Sequence, residues 1–317
     1  MTYFAHGATL ALAWFLAINV AASVIVAAIA RRAPRSSGFL LGLRLAPAAS
    51  SIVFVAAVFL PSYLKFEPRQ FAEGFDVSLT ALALVAAVLV AAGAARGIRA
   101  WRNAASRTRS WTRAARALTL DGIRVPTFLI DAPQPLMALA GIVRPRLIVT
   151  SGLLDALTPE EIAASAAHEA AHHRAWDNLK RLAIRSAPDI LHGTRTARAI
   201  ERAWAAAAER SADAASADPR SAAARLALAS ALVKVARLMP AAVPAAEPIS
   251  TLVGGGDIAS RVERLIDDGQ RPIDAPTARS PWLLAGAASA AAILIAGYLP
   301  LLAIVHQATE ILVHRLP

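Results

Sequence analysis

From Gly7 to Ala30 the chain carries no ionisable side chain. At ~1.5 Å per residue, a run of this length reaches across the ~30 Å apolar layer of a bilayer. In that solvent every backbone N–H and C=O must be satisfied within the segment, so the run is expected to be a helix. No basic region precedes it and it is too long for a signal peptide, which favours a permanent span. Three further candidates follow: Ala46–Leu64 with Pro47 near its start, Val77–Ala95, and Pro281–Val305 with Pro300 as a kink. The overall composition agrees, with 56% hydrophobic residues, 17% charged residues and a mean hydropathy of +0.49. Those values fit membrane spans plus one soluble part rather than two soluble domains.

The charges beside the spans give an orientation. Arg31, Arg32, Arg35 and Arg44 read as the loop after the first span. Lys65 and Arg69 after the second are offset by Glu67, Glu73 and Asp76. After the third come Arg96, Arg99, Arg102, Arg107, Arg109, Arg113 and Arg116. The consistent solution puts the N-terminus outside, residues 96–280 in the cytoplasm and the C-terminus outside, in a cell (inner) membrane. The net charge of +11 therefore reads as contact with anionic headgroups, and direct nucleic-acid binding is not expected. With no cysteine, disulfides and thiolate metal sites are excluded.

The fold class expected is α+β: a mostly helical multi-span membrane protein with a small sheet and helices between the third and fourth spans. Leu118–Val125, Thr127–Asp131, Leu136–Ala140 and Arg146–Thr150 read as short strands separated by Gly and Pro. Thr158-Pro159-Glu160-Glu161 opens a helix with a capping box, expected to run to about Ser186. Further helices are expected at about Thr196–Ala217, from an Asp218-Pro219 cap to Leu238, and at Asp257–Asp267. Pro240–Gly256 reads as a linker. The division is 1–95 (three spans), 96–117 (basic juxtamembrane segment), 118–267 (soluble domain), 268–280 (linker) and 281–317 (fourth span and tail).

The first helix of that domain carries His168-Glu169-Ala170-Ala171-His172. Two imidazoles one turn apart share a helix face and can bind one metal ion, and the glutamate beside them can act as base toward water. Catalytic zinc takes three protein ligands and leaves one position open. Glu209-Arg210-Ser211-Ala212-Asp213 offers the third on a following helix, with Pro188 and Gly193 allowing the chain to turn back. The expected assignments are His168, His172 and Glu209 as Zn2+ ligands, Glu169 as catalytic base and Asp213 as a partner for the free nitrogen of a ligand histidine. His173, His192 and arginines such as Arg210 stay open as donors to a developing oxyanion. Asp177 and Asn178 read either as bonding across the helix pair or as ordinary polar positions. Leu136–Ala140 reads equally as a free sheet edge for a peptide or as a core strand.

The run Ala140–Val149, then Leu153-Leu154, His168–His172 with Asp177-Asn178-Leu179, and Glu209–Asp213 resembles the BlaR/MecR-type antirepressor metallopeptidases. The resemblance covers about Leu118–Asp267 and includes the span arrangement. It implies a gluzincin-type integral membrane zinc endopeptidase that cuts a cytoplasmic protein, in the best-known members linked to relief of a transcriptional repressor. It supports the same roles for His168, His172, Glu209, Glu169 and Asp213. The best-known members carry an outer penicillin-binding domain after the last span. Here the chain ends at Pro317, so any signal is expected from the outer loop at 61–76, the spans or a partner. The HtpX and CAAX-protease group also shares HExxH and ExxxD and implies a quality-control role. Its Thr-His-Pro segment is missing, because Ser250-Thr251-Leu252-Val253 stands before Arg261-Val262-Glu263-Arg264-Leu265.

Overall fold

The structure, a computed structural model, describes residues 3–32, 34, 36–68, 77–113, 115–216, 222–238, 250–251, 258–267, 297–311 and 313. Arg35, Arg69, Glu73, Asp76, the Asp218-Pro219 cap, most of Pro240–Gly256, the 268–280 linker and the first part of the fourth candidate span lie outside the described residues.

Three helices are long and apolar enough to cross a membrane, over Tyr3–Arg32, Ser37–Phe66 and Val77–Arg113. The first contains α1 (Tyr3–Ile29) and a short 3-10 turn. The second comprises α2 (Ser37–Phe54), a π turn at Val55–Phe59 and α3 (Leu60–Phe66). It starts nine residues before the expected Ala46, because Ser36 caps it by accepting from the Phe39 N–H. Pro47 therefore lies inside the helix, and so does Arg44, which is not a loop residue as its charge suggested. The third is α4 (Val77–Arg113), so the basic run from Arg96 to Arg113 continues the same helix. The C-terminal helix α11 spans 297–311.

The soluble part opens with a mixed sheet of order β1-β2-β4-β3-β5. Its strands are β1 (Arg116–Leu118), β2 (Thr127–Ile130), β3 (Met137–Ala140), β4 (Arg146–Thr150) and β5 (Ser250–Thr251). Only the β2–β4 pair is parallel. The expected strand at Leu118–Val125 is instead the end of β1 and a turn through Asp121-Gly122. Every residue of β3 is buried, with β4 on one side and β5 on the other, so Leu136–Ala140 is an interior strand and not a free edge. The sheet's apolar face (Met137, Leu139, Leu147, Val149) packs on α5 (Ser151–Ala156), α6 (Pro159–Arg174), α9 (Ala222–Leu238) and α10 (Ile258–Asp267).

Thr158 and Glu161 form the expected capping box at the start of α6. The buried Glu161 carboxylate also accepts from Ser230 at 2.6 Å and Lys234 at 2.8 Å, which ties α6 to α9. The helix does not run on to Ser186. It stops at Arg174, and Trp176 takes a left-handed conformation (φ 58°) before α7 (Asp177–Ser186). After a turn at Ala187–Thr194, α8 (Arg195–Ser216) returns antiparallel.

That α7–α8 turn is gripped by the apolar helices. Asn19, fully buried in α1, donates to Pro188 O (3.0 Å) and Pro47 O (3.4 Å) and accepts from Ile190 N–H (3.1 Å). Arg44 reaches Asp189 and Glu201, each at 2.7 Å, and Arg96 donates to the carbonyls of Arg185 and Ala187. Gly93 and Gly97 allow the close approach, since a Cβ on either would come within 2.7 Å of Ser186. Val26, Leu40 and Leu43 complete the contact against Ile184, Leu191, Ile200 and Trp204.

Candidate metal centre

His168 and His172 are one turn apart on α6 and wholly buried, with ring planes at 85° and Nε2 atoms 3.2 Å apart. Glu209, on the facing side of α8, places Oε2 3.5 Å from His168 Nε2 and Oε1 3.6 Å from His172 Nε2. One ligand atom from each of the three lies within 4.8 Å of the others. Tetrahedral zinc with ligands at ~2.0–2.1 Å has donors about 3.3 Å apart, so the spacing fits a single ion.

Each imidazole has a carboxylate beside its other nitrogen. His172 Nδ1–H donates to Asp177 Oδ2 at 2.7 Å, and His168 Nδ1 stands 3.0 Å from Asp213 Oδ1. Such outer partners fix the tautomer that presents Nε2 to a metal. Asp177 is the first residue of α7, so the left-handed Trp176 is what swings it back toward His172. Asn178 donates to Leu139 O (3.0 Å) and Gly141 O (2.9 Å), fastening α7 to the sheet.

Four carboxylates (Glu169, Asp177, Glu209, Asp213) converge here. Arg261 of α10, 2% exposed, stands 2.6 Å from Asp213 and 3.1 Å from Glu209, and Arg181 is 3.9 Å from Glu209. Burial works against charge on Glu209, yet the two histidines outweigh it and hold the carboxyl well below its ordinary range. Burial likewise works against charge on His172, but Asp177 and Glu209 push its pKa up to about 10. The pocket thus favours positive charge at the ring nitrogens, which a proton or a cation can supply.

Glu169 is the outlier. Its carboxylate is fully buried, and neither oxygen has a hydrogen-bond partner among the described residues. Burial drives its pKa up. Groups in that condition concentrate at functional sites.

Residues 102–251 match Peptidase family M48. Peptidases of that family are metal-dependent, usually with zinc, so the match and the His168–His172–Glu209 cluster both point to a metallopeptidase. The matched stretch holds β1–β5, the histidine pair, Glu169, Glu209 and Asp213, and stops before Arg261. No curated protein matches the chain. The three apolar helices suggest association with a membrane.

One site residue, Arg261, escaped sequence reasoning, and the sequence alone leaves Asp177 open between bonding across the helix pair and an ordinary polar position. Asp177 had a readable signal, being polar and five residues past His172, but only the break at Trp176 turns it inward. Arg261 is 48 residues beyond Asp213 and had no local signal. Of the suggested oxyanion donors, His192 belongs elsewhere, beside Arg96, Arg44, Glu201 and Asp189. His173 is half-buried, as its place beside His172 on the helix requires.

Proposed function

We propose that the chain is an integral membrane zinc endopeptidase in which His168, His172 and Glu209 hold the metal and Glu169 is the general base. The observation that carries this reading is the triangle of donors at the spacing of one tetrahedral ion, beside a buried carboxylate with no hydrogen-bond partner among the described residues. Bound Zn2+ would supply Lewis acidity, acidifying water toward ~7 and polarising the scissile carbonyl. Glu169 takes the proton of the attacking water and passes it to the leaving amine. Its burial raises its proton affinity, which suits it to both transfers. Asp177 and Asp213 keep the Nε2 atoms turned inward throughout, and Arg261 holds Asp213 and Glu209 in place.

The substrate proposed is a cytoplasmic protein such as a transcriptional repressor, on the strength of the resemblance to BlaR/MecR-type peptidases. A quality-control role on membrane proteins is the second reading. It is favoured by α7, which leads from Asp177 to Ser186 against Gly93 and Gly97, only about 15 Å of helix. A Glu169→Gln chain should retain zinc, lose cleavage and capture uncleaved substrate. A soluble DNA-binding protein in the trap supports the first role, and membrane proteins support the second. Cleavage unchanged in Glu169→Gln would remove the enzymatic reading altogether.

A further inference from the structure

Two buried polar groups on neighbouring turns of α6 have no hydrogen-bond partner among the described residues. One is the Glu169 carboxylate, at both oxygens, and the other is the Ser165 hydroxyl, four residues earlier. Both residues are 0% exposed, so bulk water serves neither. The carboxylate is an acceptor in need of a donor, and the hydroxyl is a donor in need of an acceptor.

The helix itself places them together. Residues four apart share a face, with Cβ atoms about 5–6 Å from one another. Long side chains in a helix lean toward its N-terminus, so Glu169 extends over the turn that carries Ser165. Helical hydroxyls ordinarily turn to the carbonyl one turn back, as Ser51, Thr108 and Ser211 do at 2.7, 2.8 and 2.9 Å. Ser165 makes no such bond. The other polar groups on this face of α6 are engaged. Glu161 accepts from Thr158 N–H, Ser230 and Lys234. His172 Nδ1 meets Asp177 Oδ2 at 2.7 Å, and His168 Nδ1 lies 3.0 Å from Asp213 Oδ1. Among the described residues of this face, Glu169 is the acceptor left for Ser165.

We propose that Ser165 is a positioning residue, whose hydroxyl fixes the Glu169 carboxylate through one bound water. Ser165 Oγ–H donates to that water, and the water donates to one Glu169 oxygen. A gap too long for a direct bond is the kind that one water closes. The second oxygen of Glu169 is then held toward the water that attacks substrate. The inference rests on the reading of Glu169 as general base, since a base works best when a third group orients it.

Infrared spectra of the full-length protein in detergent test this. The carboxylate stretch of Glu169, identified as the band lost in Glu169→Gln, should shift in Ser165→Ala. It should stay in place in Ser230→Ala, which disturbs α6 at Glu161 instead. Ser165→Ala should also keep its zinc and its KM, while kcat falls about tenfold or more, the usual worth of one hydrogen bond to a charged group. A Glu169 band that does not move in Ser165→Ala, or an unchanged kcat, would overturn the proposal. A wild-type chain that cleaves nothing would remove the peptidase reading, and the band shift would still decide the contact between Ser165 and Glu169.

Discussion

Helix α8 presents Glu201 to Arg44 and, about two turns later, Glu209 to His168 and His172. Both clusters are buried and both contain carboxylates, yet they are wired differently. At the first, Arg44 is balanced by Asp189 and Glu201, each at 2.7 Å, so opposite charges pair directly. At the second, four carboxylates surround two imidazoles, Arg261 engages only Asp213 and Glu209 of the four, and Glu169 makes no hydrogen bond among the described residues. A closed set of buried charges holds helices together. An open set, with donors aimed at one point, is positioned to take a metal ion.

The contrast can be broken most forcefully at Glu169. Glu169→Gln should lower proteolysis by about 10²–10⁴-fold, the usual worth of a positioned general base. The melting temperature should hold or rise, because a buried carboxylate with no hydrogen bond among the described residues is removed. Comparable loss of stability would show that Glu169 is structural. Arg44→Ala should do the reverse, costing about 3–5 kcal/mol in denaturant unfolding because two carboxylates lose their partner. A cost near zero would mean that water reaches the Arg44 cluster.

Asp177→Asn sharpens the comparison from the side. It should weaken zinc binding by about 10–100-fold in a competition titration while leaving the fold intact. The effect of pH should also separate the two states of the metal centre. The pKa of His172 is raised from 6.5 to about 10 in the fold, so without metal its contribution is full below about 6.5 and is lost as pH rises toward about 10. The melting temperature of chelator-treated protein should therefore fall across that window, while zinc-loaded protein holds. The smallest effect is expected at Trp176, 55% exposed with φ 58°. Trp176→Gly should leave stability unchanged or raise it by up to ~1 kcal/mol, since glycine adopts that conformation freely.

What could be read from sequence was local. The capping box of Thr158 and Glu161 and the one-turn spacing of His168 and His172 follow from residues three or four apart. Apolar runs long enough to span a bilayer are equally visible. The pairings across the chain were not. Arg44 looked like a loop cation because its partners Asp189 and Glu201 are about 150 residues away. Asn19 sits within an apolar run, and its partners, the Pro188 and Ile190 backbone groups, are about 170 residues away. The stop at Arg174 had no glycine or proline to announce it, only a tryptophan in an uncommon conformation.

The central claim is that two imidazoles and one carboxylate share a single metal ion. X-ray absorption at the zinc edge of the full-length protein addresses it directly. Two histidine nitrogens and one carboxylate oxygen at ~2.0–2.2 Å, with Glu209→Gln changing that shell, is the predicted result. A chain without zinc, or a zinc shell indifferent to Glu209→Gln, would contradict it.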